Sequence, residues 1–174
     1  MATKSVSGGP YHLKIGATKA ERKLRRVRND AESWPCDPDL ERSLLGVCLW
    51  GRAQEVVRAL EAQDFGLSAH KEIFGAIACL LEQGETTFDV WTLASELRRR
   101  RTLESAGGEA YLADLDRGIV VEQTVGLRAQ RLRELAHRRH LLQASEELQR
   151  RAADLTEPLI ETKAWLSGVL NELS

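Results

Sequence analysis

Few residues in this 174-residue chain stand at spacings that could do chemistry. His137 and His140 lie about one helical turn apart, close enough to share a metal ion. Arg138 and Arg139 between them would repel a cation, so the pair reads as exposed surface. His70 stands alone at the start of an apolar helical stretch and reads as a packing or capping residue. The run Arg98 to Arg101 could hold a phosphate. It also ends a helical pattern, where cations offset the negative end of the helix dipole, and it reads as a solvated, dipole-compensating end. Gly107-Gly108 invites comparison with a phosphate loop, which needs backbone N–H groups and a lysine for the nucleotide. Glu109-Ala110 follow it instead, and the sequence has no Gly-Lys pair. Cys36, Cys48 and Cys79 form no C-x-x-C pair and are too few for a disulfide framework. Cys48 and Cys79 fall on apolar helix faces, as buried reduced thiols do. No Ser/His/Asp, Cys/His or HExxH constellation is present. The expectation is a chain that is not an enzyme and takes no cofactor or metal.

What remains is surface chemistry at the two ends. Residues 1–34 carry eight cations against three carboxylates, a net charge of +5 in a chain of net charge −1, which leaves −6 for residues 35–174. The first ten residues are rich in Ser and Gly and read as disordered; Ala17 to Arg28 has the pattern of a basic helix. Lys19, Arg22, Lys23, Arg25, Arg26 and Arg28 are the candidates for contact with nucleic acid phosphates. The plainer reading of the same charges is a solvated arm. Trp34, Trp50, Trp91 and Trp165 are scattered and form no stacking platform.

The elements that must position these groups are helical. Leu, Ala, Glu and Arg dominate, all of them helix formers, and only 5% of residues are aromatic, so the core is aliphatic. Asp37-Pro38 is a helix start, with a capping carboxylate followed by a proline whose missing N–H costs nothing. Leu40, Leu44, Leu45, Val47 and Cys48 follow as a buried face, with Gly46 among them implying close approach of a neighbouring helix. A short helix over about Arg52 to Glu61 buries Val56, Val57 and Leu60. The centre of the chain runs from Asp64 to Leu115. There Ser68 is a candidate N-cap, and Ile73, Phe74, Ile77, Leu80 and Leu81 recur at three- and four-residue steps. Gly84 stands where that helix should end in a left-handed residue. Asp89 caps a second helix with Val90, Leu93, Ala94 and Leu97 inward. After Gly107-Gly108 a third, short helix carries Tyr111, Leu112 and Leu115. From Glu122 to Ala153 the helical pattern is nearly unbroken, a length of about 45 Å at the helical rise. Asp154 to Pro158 is a turn, and Leu159, Leu166 and Leu173 then stand seven apart with Thr162 and Val169 between, a coiled-coil-like seam. Two helices joined by so short a turn form an antiparallel hairpin. No apolar run reaches the roughly 20 residues that cross a bilayer, and the N-terminus has no apolar signal core, which points to the cytoplasm.

These residues carry a resemblance. Asp64-Phe65, His70, Ile73, Phe74, Ile77, Leu81, Gly84, Asp89, Leu93, Leu97, Leu103, Gly107-Gly108, Tyr111 and Leu112 resemble the N-terminal domain of bacterial replicative helicases, the DnaB family. Pro35 with Glu41-Arg42-Ser43-Leu44-Leu45-Gly46 is similar to that domain's opening helix. Arg133-Glu134, Ala136, Arg139, Leu141 and Leu142 are similar to its long helix. The three blocks fall in the family's order across residues 35–174. At the start of the long helix the chain departs from the pattern, with Thr124, Gly126, Leu127 and Arg128 in place of Asn and tyrosines.

The resemblance implies an all-α fold, with a small helical bundle over 35–117 followed by a long antiparallel hairpin over 122–174, after the arm of 1–34. It implies that the hairpin pairs protomers into a homodimer, three of which make a hexameric ring. Leu132, Arg139, Leu142, Leu159, Leu166, Val169 and Leu173 are the expected contact residues. It further implies a non-catalytic replication module, without the RecA-like motor, that binds primase, a helicase loader or full-length helicase. The basic arm keeps open a nucleic-acid-associated regulator, and the missing phosphate loop keeps open a remnant or split half of a helicase.

Overall fold

The computed structural model describes residues 34–115 and 125–172. The basic arm with Lys19, Arg22, Lys23, Arg25, Arg26 and Arg28, the expected helix start at Glu122, and Leu173 lie outside the described residues.

Helix α1 (Pro38–Val47) begins as the sequence requires: Asp37 accepts from the Leu40 N–H at 3.0 Å, with Pro38 in the first turn. A wide turn at Cys48–Arg52 carries the chain into α2 (Ala53–Ala59), and a short 3₁₀ turn at Ala62–Asp64 precedes α3 (Ser68–Glu82). Helix α3 is central, packing against α1, α2 and α4 (Val90–Arg99). Ile73, Phe74, Ile77 and Leu80 are buried along it, as their spacing predicts, and Leu81 is half-buried. Gly84 ends it at φ +92°, with N–H bonds from Gly84 to the Leu81 carbonyl and from Glu85 to that of Leu80. Asp89 caps α4 by accepting from the Thr92 N–H at 2.8 Å, and Leu93, Ala94 and Leu97 turn inward. Helix α5 (Glu109–Leu115) buries Tyr111, Leu112 and Leu115. All described regular structure is helical, and the fold is the all-α one expected.

Two local expectations are corrected. Ser68 is exposed and is the first residue of α3 rather than its cap; Leu67 occupies the cap position and offers no side-chain acceptor. Glu41 of α1 instead accepts from the Gly66 and Leu67 N–H groups just ahead of the helix. Cys48 is buried as expected, but Cys79 is only half-buried, with Gln83 Nε2 donating to its sulfur at 3.0 Å.

The long helix α6 (Val125–Ala153) meets the bundle through its first half, where Val125, Ala129 and Leu132 join the common core. Its second half carries α7 (Leu159–Glu172), which packs on it as the expected antiparallel partner. Among the described residues no helix is long and apolar enough to cross a membrane.

Candidate interaction surface

A buried polar cluster fixes how the long helix is held. Glu41 is fully buried, yet its carboxylate is surrounded by donors. Oε1 accepts from the Gly66 N–H at 2.7 Å and from Cys36 Sγ at 3.3 Å; Oε2 accepts from the Leu67 N–H at 3.2 Å and from His70 Nδ1 at 2.7 Å. The other nitrogen of His70 pairs with the Tyr111 hydroxyl on α5. Burial pushes the Glu41 carboxyl upward, but His70 and the two backbone N–H groups outweigh it and hold the group below its usual range. Burial and the neighbouring Glu41 raise the Cys36 thiol to about 12, so it stays protonated. Arg139 of α6 adds the last tie, donating from Nη1 to the Pro35 carbonyl at 2.8 Å and from Nη2 to that of Asp64. His70 is thus the packing histidine expected. That Glu41 is its partner was not legible, because a Glu in a first helical turn is ordinarily solvated.

The hairpin is secured at its turn. Asp154 accepts from the Thr156 N–H at 2.9 Å, and Arg151 pairs with Glu147 at 2.8 Å and with Glu157 at 2.5 Å. The Arg151 guanidinium also lies 5.1 Å from the centre of the Trp165 ring. Arg150, with Arg151 beside it, holds Glu147 at about 2. Between the two helices runs an open groove of about 400 Å³, with His140, Gln143 and Glu147 on one side and Trp165, Gly168 and Val169 on the other. His137 is exposed and His140 half-buried, and no metal-binding group of His, Cys, Asp or Glu occurs among the described residues.

The expected contact residues divide. Leu132 is fully buried in the bundle core and Arg139 is spent on two carbonyls. Both are buried within the single chain. Val169 is 8% exposed and Thr162 4% exposed, so the inner seam of α7 runs through them and the half-buried Trp165. Leu159 is 64% exposed, Leu142 is exposed and Leu166 half-buried. The reason is rotation. At about 100° per residue, Leu159, Leu166 and Leu170 share a face roughly a quarter turn from the Thr162–Val169 seam.

The same rotation applies to α6. Leu141 stands nine residues from Leu132, and Leu148 nine from Arg139, which is about two and a half turns. These leucines therefore point away from the bundle. In an antiparallel right-handed pair, the Leu141–Leu148 line and the Leu159–Leu166–Leu170 line fall on one side of the hairpin. Of the nine large apolar side chains left exposed among the described residues, seven lie on α6, α7 or their turn. The hairpin is where the apolar surface has been left uncovered. Leu141, Leu148 and Leu170 stand on this face and were not among the expected contact residues, although the seven-residue step from Leu141 to Leu148 was there to be read.

The model of the DnaB-like helicase N-terminal domain matches residues 33–134. The chain belongs to that family. The N-terminal domain of DnaB helicase from Mycobacterium tuberculosis superimposes on 82% of this chain and 100% of its own, with a TM-score of 0.72 and 27% identity. The replicative DNA helicase DnaB of Mycobacterium leprae is 34% identical over 112 residues, 63% of this chain and 18% of that protein. The DnaB helicase of Pasteurella multocida is 33% identical over 116 residues, 66% of this chain and 25% of its own length. This DnaB-type domain thus spans about a fifth to a quarter of those relatives, and the part matched is their N-terminal domain rather than the ATPase motor.

Proposed function

We propose that this chain is a non-catalytic DNA-replication module that self-associates through the leucine face of its hairpin. In that state it serves as a collar for primase, a helicase loader or full-length helicase. The observation that supports this most directly is the apolar face of Leu141, Leu159 and Leu170, all exposed, with the half-buried Leu148 and Leu166, on the side of the hairpin turned from the bundle. A monomer gains nothing by exposing such a stripe, whereas a two-fold pairing of identical faces buries it twice over. The dimer can be repeated into a ring of three. The basic arm of residues 1–34, with its charge of +5, adds a weak, sequence-blind contact with DNA phosphates.

Light scattering tests the assembly. At concentrations on the order of tens of micromolar the protein should run as a dimer or larger. Leu141→Glu and Leu170→Glu each place a carboxylate in the apolar contact, where an unpaired charge is costly. Both variants should become monomeric while keeping the helical circular-dichroism spectrum, since both sites are exposed in the protomer. A wild type that is strictly monomeric would overturn the reading. The same preparation should neither hydrolyse ATP nor unwind a forked duplex; turnover that survives repurification would refute its non-catalytic character.

A further inference from the structure

A second surface, away from the hairpin, lies on α4. Its inward residues are Leu93, Ala94 and Leu97, and its outward line is Trp91, Ser95 and Arg98, at helical steps of four and three. Trp91 is 68% exposed. Arg98 is the first of four consecutive exposed arginines, Arg98 to Arg101, that run off the end of the helix.

The backbone at this end is unusual. Arg101 has φ +60°, the left-handed position after the helix, closed by N–H bonds from Arg101 to the Arg98 carbonyl and from Thr102 to that of Leu97. Glycine is the ordinary residue there, and a side chain with a Cβ costs of order 1 kcal/mol. Arg101 is the single described residue other than glycine with positive φ, and its side chain makes no hydrogen bond or ion pair among the described residues. The fold therefore gains nothing visible from an arginine at this point. Arg98 pairs with Glu109, both about half-exposed, where exchange for another carboxylate costs little, whereas Arg99 is held by two hydrogen bonds to the buried Glu96. The Arg100 guanidinium lies across α3 at Gly75.

We propose that the Trp91–Arg98 stripe, with Arg101 just past the helix end, is a docking surface for a short acidic segment of a partner protein, carrying an apolar side chain for the Trp91 ring. Charge complementarity selects the occupant. The four arginines outnumber the two carboxylates beside them, Glu96, which is buried and held by Arg99, and Glu109, which is exposed beside Arg98. A nucleic acid strand presents uniform negative charge and would meet the exposed Glu109 along its path. A single aromatic ring also falls short of the successive rings on which single strands stack. A short peptide can set its carboxylates on the arginines alone and its apolar residue on the tryptophan. This surface is separate from the leucine face, and its failure would leave the hairpin reading intact.

The test uses the full chain and fluorescence anisotropy. The probe is a labelled short peptide in which glutamates flank a Leu-Phe pair; its controls are the same peptide with glutamines and an oligothymidine of equal charge. The glutamate peptide should bind, quench the Trp91 fluorescence and weaken as salt rises. Trp91→Ala and Arg101→Gly should each lower its affinity about tenfold, the size expected for one charged or aromatic contact. Arg101→Gly should at the same time melt no lower than the wild type, which separates binding from folding. Three results would overturn the proposal: equal binding of the glutamine peptide, tighter binding of oligothymidine, or full affinity retained by Arg101→Gly. Loss of self-association in Trp91→Ala would overturn it in favour of a second copy of this chain as the occupant.

Discussion

Replacing Glu41 by alanine should destabilise the bundle by about 3–5 kcal/mol, the cost of removing one member of a buried charged network. The substitution leaves the Gly66 and Leu67 N–H groups and His70 Nδ1 without their acceptor, in a place water does not reach. It also opens the start of α3, whose cap residue has no acceptor of its own. In a domain of this size each kcal/mol is worth roughly 2–4 °C, so the melting temperature should fall by on the order of 10 °C or more. Glu41→Gln keeps the shape but turns an amide N–H₂ toward donors, and it should recover only part of the loss.

The pH dependence follows from the same site. The native Glu41 carboxyl is held below its unfolded value, so its contribution is present above the ordinary carboxylate range. It is lost as pH falls through the lower, native value. Melts of wild type and Glu41→Gln followed by circular dichroism should therefore converge on acidification below that range and stay apart at neutral pH. A Glu41→Gln variant as stable as wild type at neutral pH would show that the cluster contributes nothing net.

Gly107→Ala should cost about 2–4 kcal/mol, from two sources that add. Gly107 has φ +104°, a conformation that L side chains rarely adopt. A Cβ there would stand 2.8 Å from Cβ, Cγ and Cδ1 of Tyr111, whose hydroxyl meets His70. The ring cannot retreat without giving up that bond. Gly84→Ala is the control: its φ is +92°, but a Cβ would meet nothing within 4 Å. It should lose only the backbone contribution, about 1–2 kcal/mol. Equal losses at the two sites, measured by urea titration, would exclude the Tyr111 contact as a cause.

Much of the architecture was legible in the sequence because it rests on local rules. Asp37-Pro38, Asp89 and Gly84 end or begin helices through their own hydrogen bonds and dihedral freedom, and each does so where expected. The step of three and four from Ile73 to Leu80 is one face of a helix, whatever it packs against. The turn over Asp154 to Pro158 forces the next helix back along α6, so the hairpin too is written in the chain. The residues of the DnaB-type blocks fixed the family before any packing was known.

Tertiary structure decided what each polar group and each leucine does. Ser68 has the chemistry of a cap, but the α3 start is served by Glu41 from 26 residues upstream of Leu67, a partner that no local pattern reveals. Arg139 and Leu132 share the amphipathic pattern of the long helix with Leu141 and Leu148. Only the bundle's position against that helix assigns the first pair to the interior and the second to the outer face. Likewise the heptad of Leu159 and Leu166 named a stripe without saying which way it turned. The periodicity of a helix gives the angles between its side chains; the zero of that angle is set by its neighbours, and only the packed structure supplies it.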